Sequence, residues 1–439
     1  MSETLIVIGG GLAGSEAAWQ AAQRGAQVIL YEMRPEKLTE AHKTSSLAEL
    51  VCSNSLRSND LYTGPGLLKK ELSMAGSLIM EAAYASAVPA GSALAVDREG
   101  FAVYISAKIT GHPNIKIVRE EITGLPDSLA VIATGPLTSK AMAKSLSERI
   151  GGDYLYFYDA IAPIIDAESI DYQKVFRASR YGKGGEDYLN CPMTEEEYRQ
   201  FYQAIIAAEK VNPEGFEEKM VFEGCMPIEV MASRGLDTMR FGPMKPVGLP
   251  DPHTGREPHA VVQLRTENKD MTAYNMVGFQ TRLKWPEQKR VFRMISGLEN
   301  AEFLRLGSIH RNTFINSPLF LNKDLTLKMH KNLYMAGQIT GVEGYIESTA
   351  MGMIAGINAA LRLQGKKTIA VPETTAHGAL IRHITESESR HFQPSNINFG
   401  LFPVLEEASK MRDKKLKKQL LVERAIKAWE GYLQAMDML

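Results

Sequence analysis

The fold is decided near the N-terminus by the stretch Leu5-Ile6-Val7-Ile8-Gly9-Gly10-Gly11-Leu12-Ala13-Gly14. The apolar run predicts a β-strand, and the glycines that follow it, in the pattern G-x-G-x-x-G, predict a tight turn that opens a helix. In this motif the first glycine permits the turn, the second lets a pyrophosphate approach the backbone, and the third lets the helix pack closely on the strand. The free N–H groups and the dipole at the helix N-terminus favour the bound anion.

The next apolar run, Val28-Ile29-Leu30-Tyr31-Glu32, predicts the second strand and ends in an acid. Glu32 stands where this motif places the carboxylate that holds a ribose hydroxyl. The same carboxylate repels a 2′-phosphate, which disfavours NADP in this pocket, and Ile8 in place of an acid argues against S-adenosylmethionine. The predicted cofactor contacts of this stretch are Gly9, Gly10, Gly11, Leu12, Ala13, Gly14 and Glu32.

Two later strands also break at glycine, in Ala133-Thr134-Gly135 and Ala336-Gly337-Gln338. Three such breaks, with a long insertion between the second and the third, suit an FAD-binding fold whose late segment returns to the cofactor; the alternative is three unrelated strand ends. We therefore predict an α/β protein with a Rossmann-type, glutathione-reductase-like FAD-binding domain at residues 1–150 and 308–439 and an inserted α+β domain at 151–307. The predicted cofactor contacts therefore also include Gly135, Gly337 and Gln338. Because the insertion has no second G-x-G-x-x-G, a reduced nicotinamide is expected to visit without a Rossmann domain of its own.

Hydrophobic spacing predicts the elements around these turns. Helices are expected over 66–87, 98–110 and 347–363, and strands over 93–97, 115–118 and 129–133. The segment 33–65 is predicted to be mostly irregular, and so long a loop inside a compact fold is usually functional or disordered. One amphipathic C-terminal helix is expected over 404–433, with an apolar face formed by Leu405, Val422, Ile426, Trp429 and Leu433.

Composition narrows the class of protein. Lys and Arg number 50 and Asp and Glu 51, so no global charge indicates a nucleic-acid partner. No apolar run is long enough to span a membrane, and the N-terminus lacks the features of a signal peptide. Three cysteines are too few and too scattered for a disulfide framework or a zinc site, and the nine histidines show no metal-binding spacing. We therefore expect a cytoplasmic, reduced protein without a metal.

Two of the cysteines are candidate nucleophiles. Cys225 lies in a Gly-Cys-Met-Pro turn, and Arg234, Arg240 and Lys245 follow closely enough to favour its thiolate if they fold back on it. The alternative is a small buried hydrophobe, which free cysteines usually are, and the residues alone leave both interpretations open. Cys52, in the polar loop Val51-Cys52-Ser53-Asn54-Ser55, has the same two interpretations, whereas Cys191 has little support as a nucleophile.

Two basic segments could contact phosphates. The first, at the start of the predicted C-terminal helix, contains Lys410, Arg412, Lys414, Lys415, Lys417 and Lys418, and the second contains Arg282, Lys284, Lys289, Arg290 and Arg293. Such runs are usually solvated helix faces, and alone they favour that interpretation; together they form a possible phosphate-contacting surface.

These motifs together resemble the folate- and FAD-dependent tRNA (uracil-5-)-methyltransferases over nearly the whole chain. The resemblance rests on the glycine turn with the Ser15-Glu16-Ala17-Ala18 that follows it, the Cys52 loop, the turn Cys225-Met226-Pro227-Ile228-Glu229, and two later motifs, Arg234-Gly235-x-Asp237-Thr238-x-Arg240-Phe241-Gly242-Pro243-Met244-Lys245-Pro246-Val247-Gly248 and Ala336-Gly337-Gln338-Ile339-Thr340-Gly341-Val342-Glu343-Gly344-Tyr345. The sequence shows no departure from the family's pattern.

The resemblance implies a bacterial enzyme that makes 5-methyluridine in the T loop of tRNA (position 54). The methyl carbon comes from 5,10-methylenetetrahydrofolate, and NAD(P)H-reduced FAD is implied as methylene carrier and reductant. Uracil C5 is a poor nucleophile until a thiolate adds to C6, and Cys225 matches the family's nucleophile. Cys52 matches its second active-site cysteine, and Tyr345 is a candidate to stack on folate or flavin. The implied partners are the tRNA T-arm, whose target base must be turned out of the folded RNA, together with folate and NAD(P)H.

Several alternatives stay open at this point. Flavoproteins that install the carboxymethylaminomethyl group on wobble uridine share the opening fold but carry a long extra C-terminal helical domain, and a related enzyme methylates uridine in ribosomal RNA. A flavin-bound RNA-binding protein without catalysis leaves the two cysteines unexplained. A generic FAD oxidoreductase leaves Cys225 and the basic helix unexplained.

Overall fold

Five parallel strands form the central sheet of the computed structural model, which describes residues 4–151, 155–212, 226–405 and 413–438. In spatial order the strands are Leu333–Met335 (β16), Ala130–Ile132 (β7), Leu5–Ile8 (β1), Val28–Glu32 (β2) and Ile115–Arg119 (β6). The three strands β16, β7 and β1 are almost entirely buried, which is why they are continuous apolar runs rather than alternating ones. Because these three are adjacent and parallel, the glycine turns after Ile8, Ile132 and Met335 meet at one edge of the sheet. The predicted α/β, Rossmann-type fold is confirmed.

Helices α1 (Leu12–Gln23) and α11 (Tyr345–Leu363) pack in backbone contact on this sheet. A Cβ atom at Gly352 would lie 2.2 Å from Ala13 O, and one at Gly356 would lie 2.3 Å from Ala17 O. Both distances are far inside van der Waals contact, so the helices reach this separation only because both positions are glycine. The small-residue helix predicted at 347–363 is confirmed, and it joins the last part of the chain to the first.

The helix predicted over 66–87 is two helices, α2 (Gly64–Met74) and α3 (Leu78–Ala85). The chain turns between them at Gly76, whose φ is +70°. The side chain of Ser77 then accepts a hydrogen bond from Met80 N–H and caps the second helix. The apolar spacing continues across the break, and therefore could not reveal it.

The elements that follow agree with prediction. They are strand β5 (Ala93–Val96) and helix α4 (Arg98–Thr110). Strand β5 is the centre of a small antiparallel sheet with β3 (Ser55–Ser58) and β4 (Ala87–Val88). The segment 33–65 is irregular as predicted, apart from β3 and the first turn of α2.

A six-stranded antiparallel sheet occupies the region predicted as the insertion. In spatial order its strands are Phe176–Arg177 (β10), Tyr188–Met193 (β11), Ala260–Thr266 (β12), Ala273–Met276 (β13), Ile164–Asp166 (β9) and Phe303–Arg305 (β14). The sheet buries an apolar cluster of its own, which includes Phe201, Leu264 and Phe292. Two further strands, Leu155–Ile161 (β8) and Ser308–Phe314 (β15), pair antiparallel, so the chain enters and leaves this region side by side. The domain boundaries themselves stay a prediction.

The remaining helices of the described residues complete the two regions. They are α5 (Lys140–Ile150), α6 (Glu195–Ala207), α7 (Ile228–Ser233), α8 (Thr238–Phe241), α9 (Trp285–Phe292), α10 (Ser317–Phe320), α12 (Ala376–Glu386) and α13 (Lys414–Asp437). Within the described part of the chain, no helix combines the length and apolarity needed to cross a membrane.

The predicted start of the C-terminal helix at Val404 is wrong. Val404 and Leu405 follow Pro403 and are not helical, and residues 406–412 lie outside the described residues, with Lys410 and Arg412 among them. Helix α13 begins after Asp413, whose side chain accepts hydrogen bonds from the N–H groups of the first turn. Leu405 is therefore not part of the predicted apolar face.

The rest of that apolar face is confirmed. Val422 and Trp429 are buried, and Ile426 and Leu433 pack against the same core. Trp429 Nε1 donates to Glu71 O at 2.8 Å, and its ring stacks on the His377 ring at 4.3 Å. These contacts dock α13 against the FAD-type fold and leave the polar face of its first turns outside.

Glu16, inside α1, makes the stability of this fold depend on pH. Burial raises the pKa of its carboxyl from 4.5 to about 7, although Gln20, Ile79 and Ser77 donate hydrogen bonds to it. The folded chain binds this proton more tightly than the unfolded chain. The stability it contributes is therefore complete below pH 4.5 and is lost as the pH rises through about 7.

We expect Glu16→Gln, which cannot ionise, to gain roughly 3 kcal/mol of unfolding free energy relative to the unsubstituted protein across that pH range. Urea unfolding at about pH 5 and about pH 8 measures the difference. Glu148→Gln, at a carboxyl that is 68% exposed, is the control and should show no such divergence. A constant difference between Glu16→Gln and the unsubstituted protein would contradict the prediction.

Candidate active site

Two adjoining cavities lie at the edge of the parallel sheet where the glycine turns meet. The first encloses about 1040 Å³ of empty space, part of it open to solvent. Its lining includes nearly all the predicted cofactor contacts, namely Gly9, Gly10, Gly11, Leu12, Ala13, Glu32, Gly135, Gly337, Gln338 and Tyr345. Gly14 is the exception and does not line this cavity.

The three motif glycines have different surroundings. Gly9 has φ +103°, and a Cβ atom there would lie 2.4 Å from Ala133 O on the neighbouring strand end. At Gly14 a Cβ atom would lie 1.7 Å from Gly9 O, so this glycine lets α1 close onto the turn. At Gly11 a Cβ atom would meet no protein atom within 4 Å. The space beside Gly11 is thus open to a ligand.

The N-terminus of α1 opens onto the same space. Ser15 is the first residue of the helix to bond back to the turn, through its N–H to Gly11 O at 2.9 Å. The N–H groups of Leu12 and Ala13, which line the cavity, have no partner within the helix. Among the residues described, no side chain caps the helix at Gly11. Open space beside an uncapped helix N-terminus fits the diphosphate of a dinucleotide.

Glu32 borders this cavity but is already fully hydrogen-bonded. Its Oε2 accepts from Gly10 N–H at 2.9 Å and from Arg34 Nη2 at 3.1 Å, and its Oε1 accepts from Arg34 N–H at 3.0 Å and Nε at 2.9 Å. Burial raises the pKa of Glu32, but the hydrogen bonds and charge of Arg34 outweigh it, so the pKa lies below its ordinary value. The carboxylate thus fixes the glycine turn; its predicted contact with a ribose stays a prediction.

Arg34 is a residue that the motif did not identify. Its side chain is 2% exposed, pairs with Glu32, and reaches Glu49 Oε2 at 3.0 Å. Arg34 and Glu49 also line the first cavity. The only signal in the sequence is that an arginine follows the motif acid by two residues. Many exposed arginines also lie this close to an acid, so the spacing does not distinguish a buried one.

The second cavity encloses about 1100 Å³ and shares a wall with the first. The residues that line both cavities are Val51, Pro136, Leu137, Gln338 and Tyr345. The second cavity also has polar residues whose side chains can hydrogen-bond to a heterocycle, namely Ser53, Ser55, Arg57, Gln280, Asn312, Glu343 and Asn396. A molecule bound in one cavity would therefore lie against some of the same residues as a molecule bound in the other.

Tyr345, in that wall, is hydrogen-bonded to the Cys52 segment of the second cavity. Tyr345 Oη accepts hydrogen bonds from Cys52 N–H at 2.8 Å and from Ser53 N–H at 3.2 Å. Burial and the neighbouring Cys52 raise the pKa of the Tyr345 hydroxyl above its ordinary value, so it stays protonated. Tyr345 lines both cavities, and Cys52 lines the second. The predicted stacking of Tyr345 on folate or flavin stays a prediction.

Arg57 is a second residue that sequence reasoning missed. It lines the second cavity and pairs with the fully buried Glu347 at 3.2 Å. Its backbone has φ +67°. The buried Lys69 holds this conformation, since its Nζ donates to Leu56 O at 2.8 Å and Ser58 O at 2.6 Å. The backbone conformation of this cavity-lining residue therefore depends on a tertiary contact that no local pattern indicates.

Cys225 lies outside the described residues, so its distance from Cys52 stays a prediction. The turn directly after it is described. Ile228 N–H donates to Gln280 O at 2.7 Å, and Gln280 lines the second cavity. Glu229 is buried and accepts from Thr281 Oγ1 at 2.9 Å.

The structure also describes Cys191 and Arg240, one of the cations predicted to lie near Cys225. Cys191 is fully buried in β11, and burial raises the pKa of its thiol, as for a structural cysteine. Arg240, which the sequence placed near Cys225, donates to Asp237 Oδ1 at 2.7 Å and to His259 O at 2.9 Å. No group of three or more His, Cys, Asp or Glu side chains able to hold a metal occurs among the described residues.

The two basic segments differ in how much charge they present. In the second segment Arg282 is buried, Lys284 pairs with Glu209 at 2.7 Å, and Arg290 pairs with Glu287 at 2.6 Å. This segment is therefore a weaker phosphate surface than its sequence suggests. In the first, Lys415 and Lys418 are exposed on the opening turns of α13.

The fold and the two-part cleft define a Rossmann-type FAD-binding protein with a second cavity against the cofactor site. The model of the family described as glucose inhibited division protein A matches residues 4–367. The chain belongs to this family, and within it to the proteins named methylenetetrahydrofolate–tRNA-(uracil-5-)-methyltransferase TrmFO.

Relatives with that name are similar to this chain along its length. The protein from Citrifermentans bemidjiense is 59% identical over 435 residues, which cover 99% of each chain. The protein from Moorella thermoacetica is 58% identical over 432 residues, which cover 98% of each chain. The protein from Aquifex aeolicus is 57% identical over 435 residues, which cover 99% of this chain and 97% of that one. The family resemblance noted from the motifs is confirmed.

Solved structures share the fold. Two crystal forms of Aquifex aeolicus GidA superpose with TM-scores of 0.66 and 0.67 and cover 98% of this chain. They are 17% and 18% identical to it, and the match spans 76% and 78% of those chains. At this identity they support the FAD-type fold and not a shared substrate.

We expect Gly11→Val to fold normally and to lose its flavin. The backbone at Gly11, with φ −72° and ψ −169°, suits a residue with a side chain, and the new side chain would project into the open space beside the helix N-terminus. The ratio of flavin absorbance to protein should fall by at least about tenfold while the fold of the apoprotein persists in circular dichroism. Gly431→Ala, at a helix position with no neighbour within 4 Å, is the control. A yellow Gly11→Val protein with one flavin per chain would contradict this assignment of the cavity.

Proposed function

We propose that this chain methylates C5 of the T-loop uridine of tRNA. The carbon donor is 5,10-methylenetetrahydrofolate, and the reductant is FAD reduced by NAD(P)H. The observation that carries the proposal is the 57–59% identity, over 98–99% of the chain, to proteins named for this reaction. The two adjoining cavities, with Cys52 in the second, support it, because the reaction needs a cofactor site and a substrate site in contact.

The first cavity is the site for FAD. Gly11 and the N-terminus of α1 would hold its diphosphate, and Gly135, Gly337 and Gln338 line the same cavity. FAD bound there supplies the electrons that complete a methyl group from a one-carbon unit at a more oxidised level. NAD(P)H would reach the cleft without a Rossmann domain of its own.

The second cavity is the site for the target uracil. The thiolate of Cys225 would add to C6 and form an S–C6 bond, and the C5=C6 electron pair would move to make C5 an enolate carbon. C5 then attacks the one-carbon unit. Loss of the C5 proton would expel the carrier nitrogen from the one-carbon unit, and a hydride from the reductant would convert that unit to a methyl group. Elimination of the Cys225 thiolate from C6 would then restore the C5=C6 bond. The turn after Cys225 is anchored to Gln280 in this cavity, which supports the same placement.

Cys52 and Tyr345 would act at the wall between cofactor and substrate. Cys52 would protect or assist the reactive carbon as it passes from one cavity to the other. Tyr345 holds the Cys52 amide through its hydroxyl and lines both cavities, which suits stacking of its ring on folate or flavin. The RNA must present an unstacked base to so enclosed a site, so the T-arm uridine would be turned out of its loop. A cytoplasmic location follows from these substrates.

The main alternatives act on other RNAs or do not catalyse. Against the ribosomal-RNA and wobble-uridine enzymes stands the 57–59% identity of this chain to proteins named for methylation of uracil C5 in tRNA. A non-catalytic flavin-bound RNA-binding protein or a generic FAD oxidoreductase would make no methylated nucleoside. Product analysis therefore separates all of these.

The function is tested with the purified flavin-loaded protein, unmodified tRNA transcript, methylenetetrahydrofolate and NADPH. We expect 5-methyluridine in nuclease digests, confined to the T-loop fragment, and none from a transcript whose T-loop uridine is replaced by cytidine. A ribosomal-RNA fragment and the anticodon arm serve as competing substrates. Absence of 5-methyluridine under conditions in which the flavin is reduced would refute the proposal.

We expect Cys225→Ala to bind FAD and tRNA as the unsubstituted protein does and to lower product formation by at least about a thousandfold, because C5 is not activated without the thiolate. Cys191→Ala is the matched control, since Cys191 is buried in β11 and removed from both cavities. Its activity should stay within about twofold of the unsubstituted protein. Full activity in Cys225→Ala would remove this residue from the reaction.

Neutralising Lys414, Lys415, Lys417 and Lys418 together to Gln should weaken tRNA binding and flatten its dependence on salt. Each lysine that contacts a phosphate contributes about one to the slope of log affinity against log salt. Fluorescence anisotropy with labelled tRNA over a range of salt concentrations measures the slope. The control neutralises Lys108, Lys174 and Lys323, which form ion pairs elsewhere on the surface. An unchanged slope would mean that these lysines of α13 form a solvated helix face and do not contact the RNA.

A further inference from the structure

Three guanidinium groups converge behind the Cys52 loop from three separate elements. Arg98 begins α4, Arg265 lies in β12, and Arg305 ends β14. Two of them therefore come from the six-stranded sheet, and one comes from the FAD-type fold. None of the three lines either cavity.

The three side chains bind four residues of one short segment. Arg305 Nη2 donates to Cys52 O at 3.2 Å, and Arg98 Nη1 donates to Leu50 O. Arg265 donates to Ser53 Oγ at 2.9 Å and to Asn54 Oδ1 at 3.0 Å. Cys52 is thus held from both sides, by Arg305 at its carbonyl and by Tyr345 at its N–H.

The cluster carries more positive charge than its carboxylate neutralises. Glu267 interacts with all three arginines and pairs with Arg98 at 2.9 Å. Within the part of the chain that the structure describes, Arg305 Nε has no hydrogen-bond partner. Cys52 interacts electrostatically with each of the three guanidinium groups. Buried charge is expensive, so a segment that needed only to be held in place could use neutral donors at less cost.

We propose that Arg98, Arg265 and Arg305 are positioning residues for Cys52. They hold the Cys52 backbone against Tyr345, and their excess charge makes the surroundings of the thiol attractive to anions. Because β12 and β14 supply two of the three, the seating of the six-stranded sheet determines the geometry of Cys52. The inference rests on the proposed function only for the step in which Cys52 takes part.

The charge and the geometry are tested by alkylation of Cys52 in the flavin-loaded protein without RNA or folate. Iodoacetate is an anion and iodoacetamide is neutral, so the ratio of their rates at Cys52 reports the local charge. Peptide mass spectrometry reads each cysteine separately, with buried Cys191 as the unreactive reference. We expect Arg305→Gln to lower the iodoacetate-to-iodoacetamide ratio at least about threefold and Arg305→Lys, which keeps the charge, to restore most of it.

Steady-state methyl transfer provides the second readout. A positioning role predicts that Arg305→Gln lowers kcat at least about tenfold and leaves KM for tRNA within about twofold. Arg24→Gln is the matched control, because Arg24 also binds a backbone carbonyl, that of Gln20, through Nη1 at 3.0 Å, and lies outside both cavities. It should change neither the alkylation ratio nor kcat.

An alkylation ratio and a kcat in Arg305→Gln that match those of Arg24→Gln would overturn the inference. If Arg305→Gln fails to fold, Arg98→Gln is measured in its place, and an unchanged ratio there overturns the inference equally. The alkylation results could be as expected while the protein makes no 5-methyluridine. That outcome would refute the proposed function but would still support the positioning of Cys52 by the three arginines.

Discussion

The structure depends on the close approach of helix α1 to the backbone around it. Gly14 lets the helix close onto the Gly9 carbonyl, and Gly352 and Gly356 let α11 reach the backbone of Ala13 and Ala17. A side chain at any of these positions would separate the elements by more than packing can absorb. With the elements in contact, the N-terminus of α1 and the turns after β7 and β16 share one edge of the sheet.

That edge forms the cofactor cavity, and the Cys52 loop connects it to the second cavity. The loop leaves the FAD-type fold, passes Tyr345 at the start of α11, and is held from behind by arginines of the six-stranded sheet. The backbone of Cys52 is thus held by residues of both regions of the protein. This suits a reaction in which a carbon unit passes from a cofactor site to a base of RNA.

The sequence predicted most of the frame because its signals are local. The five parallel strands, the helices over 98–110 and 345–363 and the meeting of three glycine turns all follow from apolar runs and breaks. The failures also have local causes. The helix over 66–87 divides at Gly76 and Ser77, which the apolar period does not detect, and the C-terminal helix begins at the Asp413 cap rather than at Val404.

The amino-acid sequence by itself determined the fold class, the position of the cofactor turn and the two cysteines that carry the resemblance to folate- and FAD-dependent methyltransferases. These are properties of short motifs, whose spacing along the chain is enough to define them. Only the tertiary structure decided that Glu32 is bound to Arg34 and Gly10, that Arg57 borders the second cavity, and that Arg98, Arg265 and Arg305 gather behind Cys52. Glu32 and Arg34 are neighbours in the chain, but an arginine at that position has no partner that the sequence alone can identify. The arginines behind Cys52 are far from it in the chain, and their contacts are set by how two sheets pack together, which no spacing in the sequence encodes.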